Sequence, residues 1–85
     1  MYTLYILRCA DGTFYTGITT DIARRVAEHN ASKLGAKYTR GRRPVALAYC
    51  RDFRTRSLAA SEEARIKKLT RAEKLWLIKE AGLKA

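Results

Sequence analysis

Two strand-like segments joined by a tight-turn signal open the sequence, and they constrain the fold more than any other feature. Residues 2–9, YTLYILRC, carry apolar side chains on both faces, as an interior strand does. Asp11 and Gly12 form a strong signal for a two-residue hairpin turn, and residues 13–19, TFYTGIT, then form the partner strand. Gly17 inside that strand indicates a bulge or a place where another group approaches the backbone. The chain therefore begins with an antiparallel hairpin.

Helical and strand-like patterns follow the hairpin. They predict a helix over 21–31, a basic loop over 33–44, a strand over 45–51, and helices over 56–69 and 71–82. Thr20 or Asp21 can cap the first helix, and Thr70 with Glu73 forms a capping-box pattern before the last. The order β-β-α-β-α-α predicts an α+β fold, a small sheet flanked by helices, in one domain over residues 1–85.

The charge balance narrows the choice of partners. Eighteen Lys and Arg residues against eight Asp and Glu residues give a net charge of +10. A polyanion would relieve the self-repulsion of such a chain, so nucleic acid is the leading partner. A membrane surface is disfavoured because no segment is a clean basic amphipathic helix, and no apolar run approaches the roughly 20 residues that span a bilayer.

The cysteines and the N-terminus predict a cytoplasmic protein. Residues 1–9 lack the features of a signal peptide. Cys9 and Cys50 are the only cysteines, without a CxxC pair and with one histidine in the chain, which argues against a zinc site. Both are expected to be buried thiols in a reducing compartment.

Two residue pairs near the N-terminus are candidates for chemistry. Tyr5 and Tyr15 lie one on each strand of the hairpin, which can bring them together, although simple packing is the alternative. Arg25 and His29 are spaced i, i+4, on a face of the first helix distinct from its apolar stripe. A solvated basic face is the alternative there, but His29 is the only histidine and can exchange protons near neutral pH.

Further candidates lie in the basic loop and the second helix. A carboxylate of the Glu62-Glu63 pair can bind a divalent cation with help from phosphate oxygens, or Glu63 can form an i, i+4 salt bridge with Lys67. A cation-rich loop with an interleaved aromatic residue suits phosphate contact and stacking on an unpaired base, with a solvated loop as the alternative. The predicted nucleic-acid-binding residues are Lys37, Tyr38, Arg40, Arg42, Arg43 and Lys67.

Together these features resemble the GIY-YIG nuclease superfamily. Leu4-Tyr5-Ile6 followed by Tyr15-Thr16-Gly17 is similar to the paired tripeptides that name it, although the first departs at its glycine position and Thr16 replaces isoleucine. YTGITTDIARRVAEHN resembles the family's stretch from the second motif into its first helix, and SEEARIKKL resembles its metal-binding helix. GAKYTRGRRPVALAY and LTRAEKLWLI look like the small stand-alone bacterial branch. The resemblance covers nearly the whole chain.

The resemblance implies a three-stranded antiparallel sheet between helices and metal-dependent cleavage of DNA. The roles it implies are water activation by Tyr5, orientation or assistance by Tyr15, phosphate binding by Arg25, proton transfer by His29, and binding of one Mg²⁺ or Mn²⁺ by Glu63, with Glu62 as the alternative ligand.

The leading hypothesis is therefore a metal-dependent endonuclease that is structure-selective or weakly sequence-selective, acts in DNA repair or recombination, and is a monomer or weak dimer. RNA is the alternative substrate. The alternative functions are a non-catalytic nucleic-acid-binding module of the same fold and a basic structural protein of a ribonucleoprotein.

Overall fold

The computed structural model describes residues 1–31 and 34–81. The elements are β1 (Tyr2–Arg8), β2 (Phe14–Thr19), α1 (Ile22–Ala31), α2 (Lys37–Arg40), β3 (Ala46–Phe53), α3 (Arg56–Lys67) and α4 (Arg71–Ala81). The predicted α+β fold is confirmed, and each predicted strand and helix is present. The difference is α2, a single helical turn where the sequence predicted only a loop. Residues 33 and 82, at the ends of two predicted segments, lie outside the described residues.

The sheet is antiparallel with strand order β2-β1-β3, which confirms β1 as the interior strand. Tyr5, near the middle of β1, pairs with Gly17 on β2 and with Cys50 on β3. The β1–β3 register shifts between Ile6 and Leu7. Tyr5 therefore lies at the centre of the sheet, with a paired residue on each side.

The turn between β1 and β2 is longer than predicted. The Gly12 N–H donates to the Cys9 carbonyl at 2.9 Å, and the Cys9 N–H donates to the Thr13 carbonyl at 2.8 Å. Gly12 has a φ of 83°, in the left-handed region that favours glycine. The Asp11 carboxylate accepts from the Thr13 N–H at 3.1 Å and from its hydroxyl at 2.6 Å. These contacts close a three-residue loop with glycine at the left-handed position, a common hairpin connection.

Side chains of β1 alternate between two packed sides of the sheet. Leu4 and Ile6 are buried with Tyr49 and Ile66, against α3 and α4, and we call this the core side. On the opposite side, which we call the site side, the buried residues are Tyr5, Leu7, Cys9 and Val45, packed against Ile22 and Val26 of α1. Both sides of the sheet are therefore covered by helices.

Side-chain caps start three of the helices. Asp21, rather than Thr20, caps α1 by accepting from the Arg24 N–H at 3.1 Å. Thr55 caps α3 by accepting from the Leu58 N–H at 3.2 Å. Before α4, the Thr70 N–H donates to the Glu73 carboxylate at 2.8 Å and the Glu73 N–H donates to the Thr70 hydroxyl at 3.2 Å. The predicted capping box is confirmed.

Both cysteines are free thiols. Cys9 is buried, as predicted, and burial raises the pKa of its thiol, whereas Cys50 is only half-buried. Within residues 1–31 and 34–81, the helices lack the length and apolar character needed to cross a membrane.

Candidate active site

Tyr5 occupies the centre of the site side and is 1% exposed. Its Oη lies 2.9 Å from the His29 Nε2, a buried hydrogen bond between β1 and α1. The Tyr5 ring lies across Gly17, because a Cβ atom at position 17 would stand 2.5 Å from the Tyr5 Oη. Gly17 is therefore explained by the close approach of a side chain, one of the two explanations that its position in the strand suggested.

His29 lies in the interior rather than on a solvated helix face. Ile22, Val26 and His29 follow the i, i+4, i+7 spacing of one helix face, and that face packs on the sheet. His29 has no exposed surface. Burial lowers the pKa of His29, and the positive charge of Arg25 lowers it further. The imidazole is therefore neutral near neutral pH and can accept a proton.

Aromatic rings connect the Tyr5–His29 pair with the basic loop. The ring centroids of Tyr5 and Tyr15 are 6.4 Å apart, and those of Tyr15 and His29 are 5.2 Å apart. The hairpin thus brings the two tyrosines together. Tyr38 of α2 stacks on Tyr15 at 5.9 Å, and the Arg42 guanidinium lies 4.0 Å from the Tyr38 centroid on the ring face. Tyr38 therefore contacts both Tyr15 and Arg42, and it remains 38% exposed.

Two arginines of the predicted binding loop hold the loop itself. Arg42 donates to the Tyr38 carbonyl at 2.7 Å and pairs with Asp11 at 3.0 Å. The Arg43 Nε donates to the backbone carbonyl of His29. Lys37 and Arg40, also on this segment, are exposed. The loop is thus anchored to the hairpin turn and to α1 as well as internally, and Lys37 and Arg40 form its exposed cationic surface.

Arg25 lies at the edge of the Tyr5–His29 pair. Its guanidinium donates to Glu28 at 3.0 Å and to the Leu34 carbonyl at 2.7 Å. Burial raises the pKa of Tyr5, and the nearby positive charge of Arg25 opposes that rise. The balance keeps Tyr5 a neutral phenol near neutral pH, with a cation beside its oxygen.

The two neighbouring glutamates of α3 differ in their surroundings. Glu62 accepts two hydrogen bonds from Arg65, at 2.6 and 2.7 Å, which hold the pKa of Glu62 below its usual value. Glu63 is 3.4 Å from the Lys67 Nζ, the salt bridge that the sequence offered as an alternative. The charge of Glu63 also reaches Tyr5, whose pKa it raises. Glu62 is therefore held by Arg65, while Glu63 pairs with Lys67 and its charge acts on Tyr5.

The donor set fits a metal ion that binds together with its substrate. In the described part of the chain, no three or more His, Cys, Asp or Glu side chains form a group that could hold a metal ion. Mg²⁺ keeps several water ligands and commonly binds through one or two carboxylates plus substrate phosphates. The half-buried carboxylate of Glu63 is sufficient for that mode of binding.

Thr39 is the site residue that the sequence did not reveal. It has no exposed surface, and its Oγ1 lies 2.9 Å from the His29 Nδ1. The same hydroxyl donates to the Ala36 carbonyl at 2.9 Å. A threonine between lysine, tyrosine and arginine residues has no pattern that marks it as buried, and only the turn of α2 directs it inwards.

Comparison with known proteins gives a consistent result. The family model described as the GIY-YIG catalytic domain matches residues 1–76. The chain is 57% identical over 74 residues to the UPF0213 protein VNG_2274C of Halobacterium salinarum, covering 87% of this chain and 95% of that protein. It is 55% identical over 84 residues to the UPF0213 protein DP2720 of Desulfotalea psychrophila, covering 96% and 76%.

Two solved structures are similar to this chain. The solution NMR structure of the UPF0213 protein BH0048 from Bacillus halodurans has a TM-score of 0.60 at 45% identity, covering 93% of this chain and 84% of that one. The solution NMR structure of the protein EF2693 from E. faecalis has a TM-score of 0.63 at 49% identity, covering 92% and 82%.

Proposed function

The chain belongs to the GIY-YIG family of nuclease domains, and we propose that it is a metal-dependent endonuclease that hydrolyses phosphodiester bonds in DNA. The observation that carries the proposal is the buried 2.9 Å hydrogen bond between the Tyr5 Oη and the His29 Nε2. A phenol bonded to a neutral imidazole, with a guanidinium and a carboxylate nearby, provides a proton path beside groups suited to a phosphate and a metal ion.

Tyr5 and His29 would act together on the attacking water. As the water oxygen bonds to phosphorus, Tyr5 would take the water proton and pass its own to the His29 Nε2. The leaving oxygen would depart with the electron pair of the broken P–O bond and take a proton from solvent. Moving a proton from an ordinary phenol to an ordinary imidazole costs roughly 5 kcal/mol, from pKa values of about 10 and about 6.5. A concerted relay avoids a free phenolate, which burial disfavours at Tyr5.

Arg25 and Glu63 would stabilise the phosphate. The planar guanidinium of Arg25 can hold two phosphate oxygens and offset the negative charge that develops on them. Glu63 would hold the Mg²⁺ or Mn²⁺, which supplies Lewis-acid stabilisation when bound. Lys67 pairs with Glu63 and is 55% exposed, so it can turn to a phosphate when the carboxylate takes another partner.

Exposed cations beside the site would hold the nucleic acid backbone. Lys37 and Arg40 are exposed on α2, next to the Tyr38–Tyr15 stack. Backbone contacts of this kind give little sequence information, so we propose a structure-selective or weakly sequence-selective enzyme. DNA repair or recombination is the proposed setting, with the protein a monomer or weak dimer. The two free thiols suit the reducing cytoplasm.

The test compares two adjacent carboxamide variants. Glu63→Gln and Glu62→Gln each remove one charge from the same turn of α3, and Glu63 is the one whose charge raises the pKa of Tyr5. Duplex, branched and single-stranded DNA, and RNA, are incubated with each protein with and without Mg²⁺ or Mn²⁺. We expect wild type to cut DNA only with metal, Glu63→Gln to lose about 100-fold or more in single-turnover rate, and Glu62→Gln to stay within a few-fold of wild type.

The other outcomes separate the alternatives. Wild type that binds DNA but cuts no faster than Glu63→Gln is a binding module of this fold. Salt-sensitive binding to RNA without any effect of metal indicates a structural protein of a ribonucleoprotein. If Glu62→Gln loses activity and Glu63→Gln does not, the metal ligand is Glu62.

A further inference from the structure

Thr39 connects the basic loop to the Tyr5–His29 pair. The short helix α2 turns this residue inwards, so that its hydroxyl lies between the His29 imidazole and the Ala36 carbonyl. Each contact is 2.9 Å long, and both Thr39 and His29 have no exposed surface. A buried series of hydrogen bonds thus runs from the Ala36 carbonyl through Thr39 and His29 to Tyr5.

The proton positions in this series of hydrogen bonds follow from what each group can donate and accept. The Ala36 carbonyl can only accept, so the Thr39 hydroxyl gives it its single proton. The Thr39 oxygen is then an acceptor towards the His29 Nδ1, which must carry the imidazole proton. The Nε2 of a neutral imidazole is then unprotonated and accepts from the Tyr5 hydroxyl.

Arg25, at the Tyr5 end of this series of hydrogen bonds, supports the same assignment of the protons. Its positive charge acts on Tyr5, and a guanidinium can only donate, so Arg25 does not compete with His29 for the Tyr5 proton. The Ala36 N–H also approaches the His29 Nδ1, where it would favour the opposite tautomer. That contact is 3.5 Å long, against 2.9 Å for Thr39, so it is the weaker of the two.

We propose that Thr39 is a positioning residue that holds His29 in the tautomer whose Nε2 accepts the Tyr5 proton. This inference rests on the proposed nuclease function. Thr39 lies within α2 between the exposed Lys37 and Arg40, while the adjacent Tyr38 stacks on Tyr15. The segment that would meet the nucleic acid backbone therefore also orients the proton acceptor.

The test uses the fact that His29 is the only histidine in the chain. Long-range ¹H–¹⁵N correlation spectra at about pH 8, above the ordinary imidazole pKa, report the tautomer of one residue without DNA or metal. Thr39→Val removes the hydroxyl at similar volume, and Thr39→Ser keeps it. We expect the Nδ1–H form to dominate in wild type and Thr39→Ser, and the Nε2–H form to gain in Thr39→Val.

Cleavage is measured on the same three proteins. Thr39→Val is expected to lose about tenfold or more in single-turnover rate with its Kd for DNA within twofold of wild type, and Thr39→Ser to recover most of the rate. A wild-type imidazole with its proton on Nε2 overturns the proposal, even if Thr39→Val does not fold. An unchanged tautomer in Thr39→Val also overturns it. If the tautomer shifts as expected but wild type does not cut DNA, the nuclease function fails while control of the imidazole by Thr39 stands.

Discussion

The two sides of the sheet are equally buried but bury different chemistry. On the core side, Leu4 and Ile6 meet Ile66 in apolar packing. On the site side, Tyr5 is as deeply buried but shares a hydrogen-bonded chain with His29 and Thr39. Buried polar groups are costly unless they are paired, and here each of the three has a partner. The alternation of side chains along β1 thus places apolar packing on one side and a hydrogen-bonded polar cluster on the other.

Removing one tyrosine hydroxyl from each side of the sheet tests this separation. The loss of cleavage expected on the site side is the largest effect that we predict. Tyr5→Phe deletes the hydroxyl that is hydrogen-bonded to His29, and we expect single-turnover cleavage to fall about 10²- to 10⁴-fold, the usual contribution of a general acid–base group. Tyr49→Phe makes the same change at a tyrosine buried on the core side. Its cleavage rate should stay within a few-fold of wild type.

The two variants are compared under saturating DNA and metal, with folding checked by circular dichroism. Equal losses in both variants would mean that the proton path is not confined to the site side. Full activity in Tyr5→Phe would remove the phenol from the mechanism.

Truncation of the core side should instead lower the free energy of unfolding. Ile66→Ala removes a wholly buried side chain and should cost about 2–5 kcal/mol, measured by urea denaturation. Leu58→Ala, on the same helix but 54% exposed, should cost no more than about 0.5 kcal/mol. The folded fraction of Ile66→Ala should cut DNA at nearly the wild-type rate. A large loss of cleavage in that folded fraction would show that the two sides are coupled.

The core side was predictable because strand alternation, helix periodicity and caps are local signals. The central position of β1 and the capping box of Thr70 and Glu73 follow from short patterns that the structure confirms. On the site side, local signals gave pairs of alternatives: the structure selects Asp21 over Thr20 as the cap of α1, and close approach over a bulge at Gly17. Its partner, the ring of Tyr5, follows only from the strand register.

The site side was only partly predictable because it depends on contacts between distant segments. The sequence placed Arg25 and His29 on a face of α1 distinct from its apolar stripe, which is wrong for His29, because His29 shares the face that packs on the sheet and is wholly buried there. The four-residue helix α2 is too short to produce a periodic pattern, so Thr39 carried no signal. The roles of Tyr5, Tyr15, Arg25, His29 and Glu63 came from the family resemblance and stay predictions, although the structure brings the Tyr5 and Tyr15 rings within 6.4 Å of each other.

Titration of His29 should change the free energy of unfolding by the smallest amount of these predictions. It tests the site side of the sheet without a cleavage assay. Its pKa is lowered in the folded protein, chiefly by burial, so the unfolded chain binds its proton more readily. The contribution of neutral His29 to the free energy of unfolding is therefore complete above the unfolded-state pKa of about 6.5. It is lost as pH falls towards the folded-state pKa, and the free energy of unfolding then changes by up to about 1.4 kcal/mol per pH unit. Urea midpoints between about pH 7.5 and 5.5 measure it, since carboxylates such as Glu62, whose pKa is also lowered, act only nearer pH 4. His29→Gln should flatten this slope and Tyr49→Phe should not. A wild-type stability that is constant or rises on acidification would mean that the site side does not hold His29 neutral.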